Sequence, residues 1–494
     1  MPGLAKIAQT DFSGGEWPNT NPERIPPNGA YSITNALVDD VGGLVRRGGS
    51  GVIAATNAPA DRALWVWDGT LAGGPRTLLA TATALYSISG DTFTNLGGYT
   101  GMAAGPNRTT VRNGVMYLPG QAVKYDGTAY AASGIPSQAH WTTVSNRLVG
   151  ATGDTLVFSD YKDPLAFAAT DFWKLPGGAN TLGLATLRDS AMWFTDQGTF
   201  VVSNMALNLT DPDGNVQQRL DLYSPDLVLW GSPGTAGVAG YAGGLIVPAR
   251  DGVWLVRLGA IGEVPPLQLL SEPLAEQYRD GATSGLRPGQ AVVFRGHYLL
   301  PLLDSTEVSP LGEVATVLVC RLDRRARPWT EFAGWGAPAA LAASRDGGRL
   351  LGGMPLYLGA TSLGVLGYFD GFPDAADGDG SPIEFMLTTR DYRTGSLNQN
   401  TVTSVRLGYR LDSDGDAVVS GFCTRAESDT ITHLTPAAPA TGGDFSTHSW
   451  PVNARTRAMH FDFEVTVPEV TGPGESTKAS IQSVEMFVRQ QGRA

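Results

Sequence analysis

The sequence predicts an all-β protein: a β-propeller-like repeat body with an N-terminal extended arm and a C-terminal β-sandwich. Three observations predict it. Apolar runs are short, about five residues, and are bounded by Gly, Asp, Asn or Ser, which is strand length and strand punctuation. The 63 Gly and 32 Pro among 494 residues are spread along the chain rather than clustered, as turns between many strands require. The runs also recur in units of roughly 40–50 residues, the range of four-stranded propeller blades. The stretch 146–204 shows all three features. It holds RLVGA, TLVFS, LGLATL and AMWFTD, and Thr195-Asp196-Gln197-Gly198 joins AMWF to TFVVS as a tight hairpin.

Residues 1–55 differ from the rest. Pro18, Pro22, Pro26 and Pro27 follow Phe12-Ser-Gly-Gly-Glu-Trp17, and such a run favours extended, irregular backbone. Residues 56–375 carry the repeated units. Asn113-Gly114, Asp126-Gly127 and Ala249-Arg250-Asp251-Gly252 are hairpin turns within them. The polar insertion Met205 to Pro225 reads as a surface loop. One four-stranded sheet cannot hide its two faces alone, and packing sheets around an axis buries both. The rival all-β arrangement is a set of stacked sandwiches.

The acidic, Gly-rich linker GFPDAADGDGSP ends the repeats, and residues 381–494 alternate more strictly. Thr403, Val405, Leu407, Tyr409 and Leu411 should share one face. Met459, Phe461, Phe463, Val465 and Val467 should do the same, with Val484, Met486 and Val488 repeating the pattern. These read as half-buried antiparallel strands of a sandwich.

The net charge is −12, which argues against a protein that grips nucleic acid through a basic stripe. The dense cationic cluster from Arg321 to Arg327 reads as the decoration of one hairpin. Cys320 and Cys423 lie in apolar runs and read as buried free thiols. The sequence shows no secretory signal pattern and no apolar run of the ~20 residues that span a bilayer. A soluble chain made in a reducing cytoplasm is expected.

No nucleophile elbow, P-loop or dinucleotide fingerprint occurs. The five histidines, at 140, 297, 433, 448 and 460, lack metal-ligand spacing. Ser344-Arg345-Asp346-Gly347-Gly348 resembles the start of a sialidase Asp-box, but Arg349-Leu350 replaces its Thr-Trp end, and a plain hairpin is expected. Asp412, Asp414 and Asp416 place oxygens at alternate positions and form a candidate cation loop. Asp211, Asp213 and Asn215 form a weaker one. Neither has the distal Glu of an EF-hand. Tryptophans near strand ends read as packing between sheets rather than as a sugar platform. No catalytic residue or cofactor is assigned, and the chain is expected not to be an enzyme.

Three N-terminal patterns carry a resemblance: Phe12-Ser-Gly-Gly15, then Pro26-Pro-Asn-Gly-Ala-Tyr-Ser-Ile-Thr-Asn-Ala36, then Gly42-Gly-Leu-Val-Arg-Arg-Gly-Gly49. With VFSDYKDPLAFAATDFWKLPGG, they resemble the bacteriophage tail nozzle, or tail tubular, proteins. That resemblance implies a structural protein of the virion tail, made in the host cytoplasm. Copies would form a ring, expected to be a hexamer, on the portal and adaptor proteins, with tail fibre or spike proteins as neighbours. Genomic DNA would pass through without sequence-specific binding, and acidic walls would repel its phosphates. Residues 1–50 would strap across a neighbouring subunit. The alternative functions are a receptor- or carbohydrate-binding tail module and a propeller glycosidase acting on host surface polysaccharide.

Overall fold

The computed structural model describes residues 4–489, apart from 101–108, 211–215, 224–235, 258–266, 275–286, 304–313, 356–360, 367–382, 394–399, 413–417, 426–430, 438–444, 467–477 and shorter stretches of one to four residues. The fold is all-β and built of many small sheets. Among the described residues the middle of the chain forms six four-stranded antiparallel sheets and one further antiparallel unit, the sixth, which is part of a larger sheet. Unit one is Trp65–Leu71, Gly74–Ala80, Leu85–Ser89 and Thr92–Asn95; unit two spans 110–132 and unit three 140–174. Unit four spans 181–223, unit five 239–269 and unit six 292–332. Unit seven is Ala340–Ala343, Leu350–Pro355 and Thr361–Leu366, completed by Ser50–Ala54 from the N-terminal segment.

Turn chemistry explains the strand order within units. Arg112 pairs with Val115 across Asn113 (φ 51°) and Gly114 (φ 73°). Two positive φ angles in a two-residue loop match the right-handed twist of the flanking strands. Thr195 pairs with Gly198, and Ala249 with Gly252, at the hairpins the sequence marks. The insertion read as a loop is instead largely hairpin. Gly198–Thr210 and Val216–Tyr223 pair out to Thr210↔Val216, with a register shift between Ser203 and Ala206. Residues 211–215 lie outside the described residues.

Seven apolar cores join the units face to face. Units one and two share Trp65, Leu78, Met116 and Tyr125; two and three share Tyr117, Trp141 and Leu148. Units three and four share Phe158 and Trp193, four and five share Phe194 and Val247, and five and six share Leu255 and Trp329. Units six and seven share Val319 and Leu341. The last core, Ala340, Leu351 and Leu363 with Val66, Leu79 and Phe93, joins unit seven to unit one. Gln290, just before unit six, reaches past unit seven: its Oε1 accepts from Val66 N at 2.6 Å and its Nε2 donates to Val66 O at 2.8 Å.

The remaining strands form two sheets across one core. One sheet runs Ala36–Val38, Leu44–Arg46, Lys478–Arg489, Asn400–Asp412, Phe445–Thr456, with Leu4–Gln9 also on Lys478–Arg489. The other runs Gly29–Thr34, Glu384–Thr389, Ala458–Thr466, Val418–Arg425, Ile431–Ala437. Both termini therefore supply this body. The apolar alternation holds at Met459, Phe461, Phe463 and Val465, and at Val484, Met486 and Val488, which are all buried. It breaks at Thr403. A register shift between Val402 and Ser404 turns Val402 inward, and the Thr403 hydroxyl donates to Phe487 O at 3.1 Å. Residues 4–46, expected to lie extended across a neighbour, pair within the chain, because Phe12, Ala30, Ile33, Ala36, Val38 and Leu44 alternate into this core. The linker 371–382 lies outside the described residues.

Candidate functional site: the junction between the N-terminal segment and unit six

The three N-terminal patterns meet at one place. Strand Gly29–Thr34 pairs in parallel with Trp329–Phe332 of unit six at Thr34↔Glu331, so one sheet runs on from the repeats into the two-sheet body. Phe12 is wholly buried and its N–H donates to Gly42 O at 2.7 Å, tying the first pattern to the third. Gly15 has φ 69°, and a Cβ there would lie 2.6 Å from Trp329 N. Glycine is required twice over, for its backbone angle and for the close approach.

Asn35 and Arg47 form the centre. Asn35 takes φ 59°, a left-handed angle that asparagine tolerates better than most residues. Its Oδ1 accepts from Arg47 Nε at 2.8 Å and from Ala333 N at 2.9 Å, while its own N–H donates to Glu331 O at 2.7 Å. Arg47 is 1% exposed. Its guanidinium also donates to Ala333 O at 2.7 Å and Gly48 O at 3.0 Å, and lies 5.8 Å from the Phe332 ring centre. A planar guanidinium spreads five donors in a fixed fork and so reaches acceptors on different sides, where an ammonium offers three donors from a single point.

The cationic cluster 321–327 serves the same junction. Arg321 donates to Val38 O at 2.5 Å and pairs with Asp40 and with Asp323, the latter at 2.8 Å. Arg324 pairs with Asp40 at 3.1 Å. The cluster thus clamps the hairpin Ala36–Arg46 onto unit six, where the sequence alone suggests a decorated turn. Hydrogen bonding and charge from Arg321 hold the Asp40 carboxyl below the usual carboxylate range. Burial shifts two groups here toward their neutral forms. Burial pushes the Glu16 carboxyl well above its ordinary range, with Glu331 adding to the rise and the Ile33 N–H opposing it at 3.3 Å. Burial lowers His297 to about 4, although Nδ1 lies 3.1 Å from Arg295 O.

The other sequence candidates fall elsewhere. Asp412 ends strand Asn400–Asp412 opposite Lys478, while Asp414 and Asp416 lie outside the described residues, as do Asp211, Asp213 and Asn215. No group of three or more metal-ligating side chains occurs among the described residues. His460 Nδ1 lies 3.0 Å from Asp391 Oδ1 on the two-sheet body. Cys320 and Cys423 are buried thiols. Trp141, Trp193 and Trp329 are fully buried between units, as packing rather than a platform. No helix among the described residues is long and apolar enough to cross a membrane.

No protein-family model matches the chain. No curated protein matches it either. Solved structures similar to parts of it include a mutant of a family 29 carbohydrate-binding module, at 13% identity and TM-score 0.14, over 22% of this chain and 73% of that one. A second such mutant, complexed with cellulohexaose, matches at 14% identity and TM-score 0.14, over 30% and 75%. The extracellular domain of what is described as a one-component system from B. thetaiotaomicron matches at 9% identity and TM-score 0.38, over 88% of this chain and 62% of that one. At these TM-scores the likenesses carry no argument about fold or function.

Proposed function

We propose that the seven units close as a β-propeller and that the chain is a non-enzymatic structural subunit of a bacteriophage tail, a nozzle-type ring that continues the DNA ejection channel. The core joining unit seven to unit one supports the closed propeller, as does the completion of unit seven by Ser50–Ala54. One observation carries the functional reading. The Phe-Ser-Gly-Gly, Asn-Ala and Arg-Arg-Gly patterns that resemble the nozzle proteins meet at one buried junction, on Asn35, Arg47 and the backbone of unit six. Such a junction holds the two-sheet body rigidly against the repeats, as a load-transmitting ring subunit needs. A net charge of −12 suits a conduit through which DNA slides without counterion-releasing contacts.

Ring formation requires a head-to-tail interface that closes. Electron microscopy of the purified protein, alone and with portal and adaptor proteins, tests the reading. Rings, expected to hold six copies, support it. Single particles of one subunit under all these conditions sink it.

A further inference from the structure

The seam between units seven and one holds a cleft of about 200 Å³. Its apolar wall is Ile53, Ile88, Leu351 and Leu363, and its polar side is Asp68 with the hairpin Ser344–Arg349. Asp68 engages both of its carboxylate oxygens, while both bonds to Asp346 fall on Oδ1. Asp68, 7% exposed, accepts from Thr77 Oγ1 at 2.8 Å through Oδ1 and from Arg345 N at 2.8 Å through Oδ2. Asp346 accepts from Ser344 Oγ at 2.5 Å and from Gly348 N at 2.9 Å, which hold its carboxyl below the usual range. Ser344 Oγ in turn accepts from Arg349 N at 2.9 Å. The guanidinium groups are held by charge rather than by hydrogen bonds. Arg345 is about half exposed, with Nη1 3.7 Å from Asp68, beyond hydrogen-bond reach. The Arg349 guanidinium is exposed and makes no hydrogen bond among the described residues, but its charge helps to hold the Asp346 carboxyl down.

The cleft therefore offers two guanidinium groups and an apolar wall, with Asp346 Oδ2 as an open acceptor for a sugar hydroxyl. We propose that it binds a single carboxylate-bearing sugar residue, a uronic or sialic acid unit, with the carboxylate on Arg345 and Arg349 and the C–H face of the ring on the apolar wall. Planar guanidinium groups match a carboxylate with paired, charge-assisted hydrogen bonds. Phosphate would use the arginines but not the wall, and a neutral sugar the wall but not the arginines. The volume lies below the ~300 Å³ at which drug-sized pockets begin, so one ring is the natural occupant. Neither the ring assembly nor the tail location is needed for this inference.

Calorimetric titration of the full chain with glucuronate, N-acetylneuraminate, glucose and inorganic phosphate tests it. At least one of the acidic sugars should bind at least tenfold more tightly than glucose and phosphate, with affinity falling as salt rises. The double substitution R345Q/R349Q should weaken that binding about tenfold or more, since hydrogen bonds to charged groups are the costly ones to lose. Arg345 holds Asp68 through its backbone N–H, so the latch survives that change. Ile53→Glu, at a position 38% exposed, places a negative charge at the mouth and should weaken binding without disturbing the core, which keeps the test open if the double variant misfolds. No acidic sugar bound at millimolar concentration, glucose or phosphate bound equally well, or binding unchanged in these variants would each overturn the proposal.

Discussion

The segment before unit one docks on the repeats twice, and the two docks differ in kind. At unit six, Asn35 and Arg47 hold the backbone through buried side-chain hydrogen bonds, and Gly15 lets two chains approach closer than any Cβ permits. At unit seven, Ser50–Ala54 is held by a backbone ladder to Thr361–Leu366, with Ala54 buried and Val52 and Ile53 outward at 41% and 38% exposure. The first dock is specific to side chains, and the second accepts almost any strand-forming sequence. One segment thus carries both a lock and a zipper.

The largest break in that contrast is at the lock. Arg47→Ala strands the carbonyls of Ala333 and Gly48 and removes one of the two donors to Asn35 Oδ1, and should cost about 3 kcal/mol or more. Gly15→Ala should cost about as much, from the positive φ and the collision with Trp329. Urea denaturation read by tryptophan fluorescence measures both. A loss under about 1 kcal/mol for either would mean that the lock is loose.

The pH profile sharpens the contrast next, because both shifted groups lie at the lock. Glu16 has a raised folded-state value, so its contribution is fully present below about 4.5 and is lost as pH rises through the raised value. His297 works the other way. With a folded value of about 4, its contribution is present above 6.5 and is lost as pH falls from 6.5 toward 4. Glu16→Gln should stabilise the protein at pH 7 and remove the downward slope above pH 4.5. His297→Gln should flatten the loss between pH 6.5 and 4. Denaturation midpoints across pH 4–8 check both, and an unchanged slope in Glu16→Gln would place its proton elsewhere.

The smallest effects belong to the zipper and to the rim of the lock. Val52→Thr with Ile53→Thr should shift stability by no more than about 0.5 kcal/mol, since both side chains face water. Asp40→Asn should leave the denaturation midpoint unchanged, because its carboxylate is 84% exposed although it meets two arginines. A large loss in the Thr variants would show that the zipper reads side chains after all.

How much of this is legible in sequence follows the same division. Local chemistry is written locally. Asn113-Gly114 and Thr195-Asp196-Gln197-Gly198 announce their turns, and Met459, Phe461 and Phe463 announce a buried face. Partners distant along the chain are not announced. Ser50–Ala54 carries no mark that it completes a sheet some three hundred residues later, because a ladder needs only N–H and C=O groups. Arg321 reads as one more surface cation until Val38 and Asp40 are seen beside it. The register shift at Val402 moves one residue and reverses which neighbour is buried, which period-2 counting cannot foresee. The three N-terminal patterns were visible as patterns, but their meeting point needed the fold.

The pairing of Leu4 with Arg489 has a consequence for biosynthesis. The ribosome delivers the first strand of the two-sheet body long before its partner Lys478–Arg489 emerges. Leu4–Gln9 must wait through nearly the whole of translation, and Gly29–Thr34 and Ser50–Ala54 until residues 329–389 have been made, and long-range pairing of this kind is slow and prone to aggregation. Nascent chains arrested before residue 478 should therefore be digested at their amino end by added protease, while released full-length chains resist.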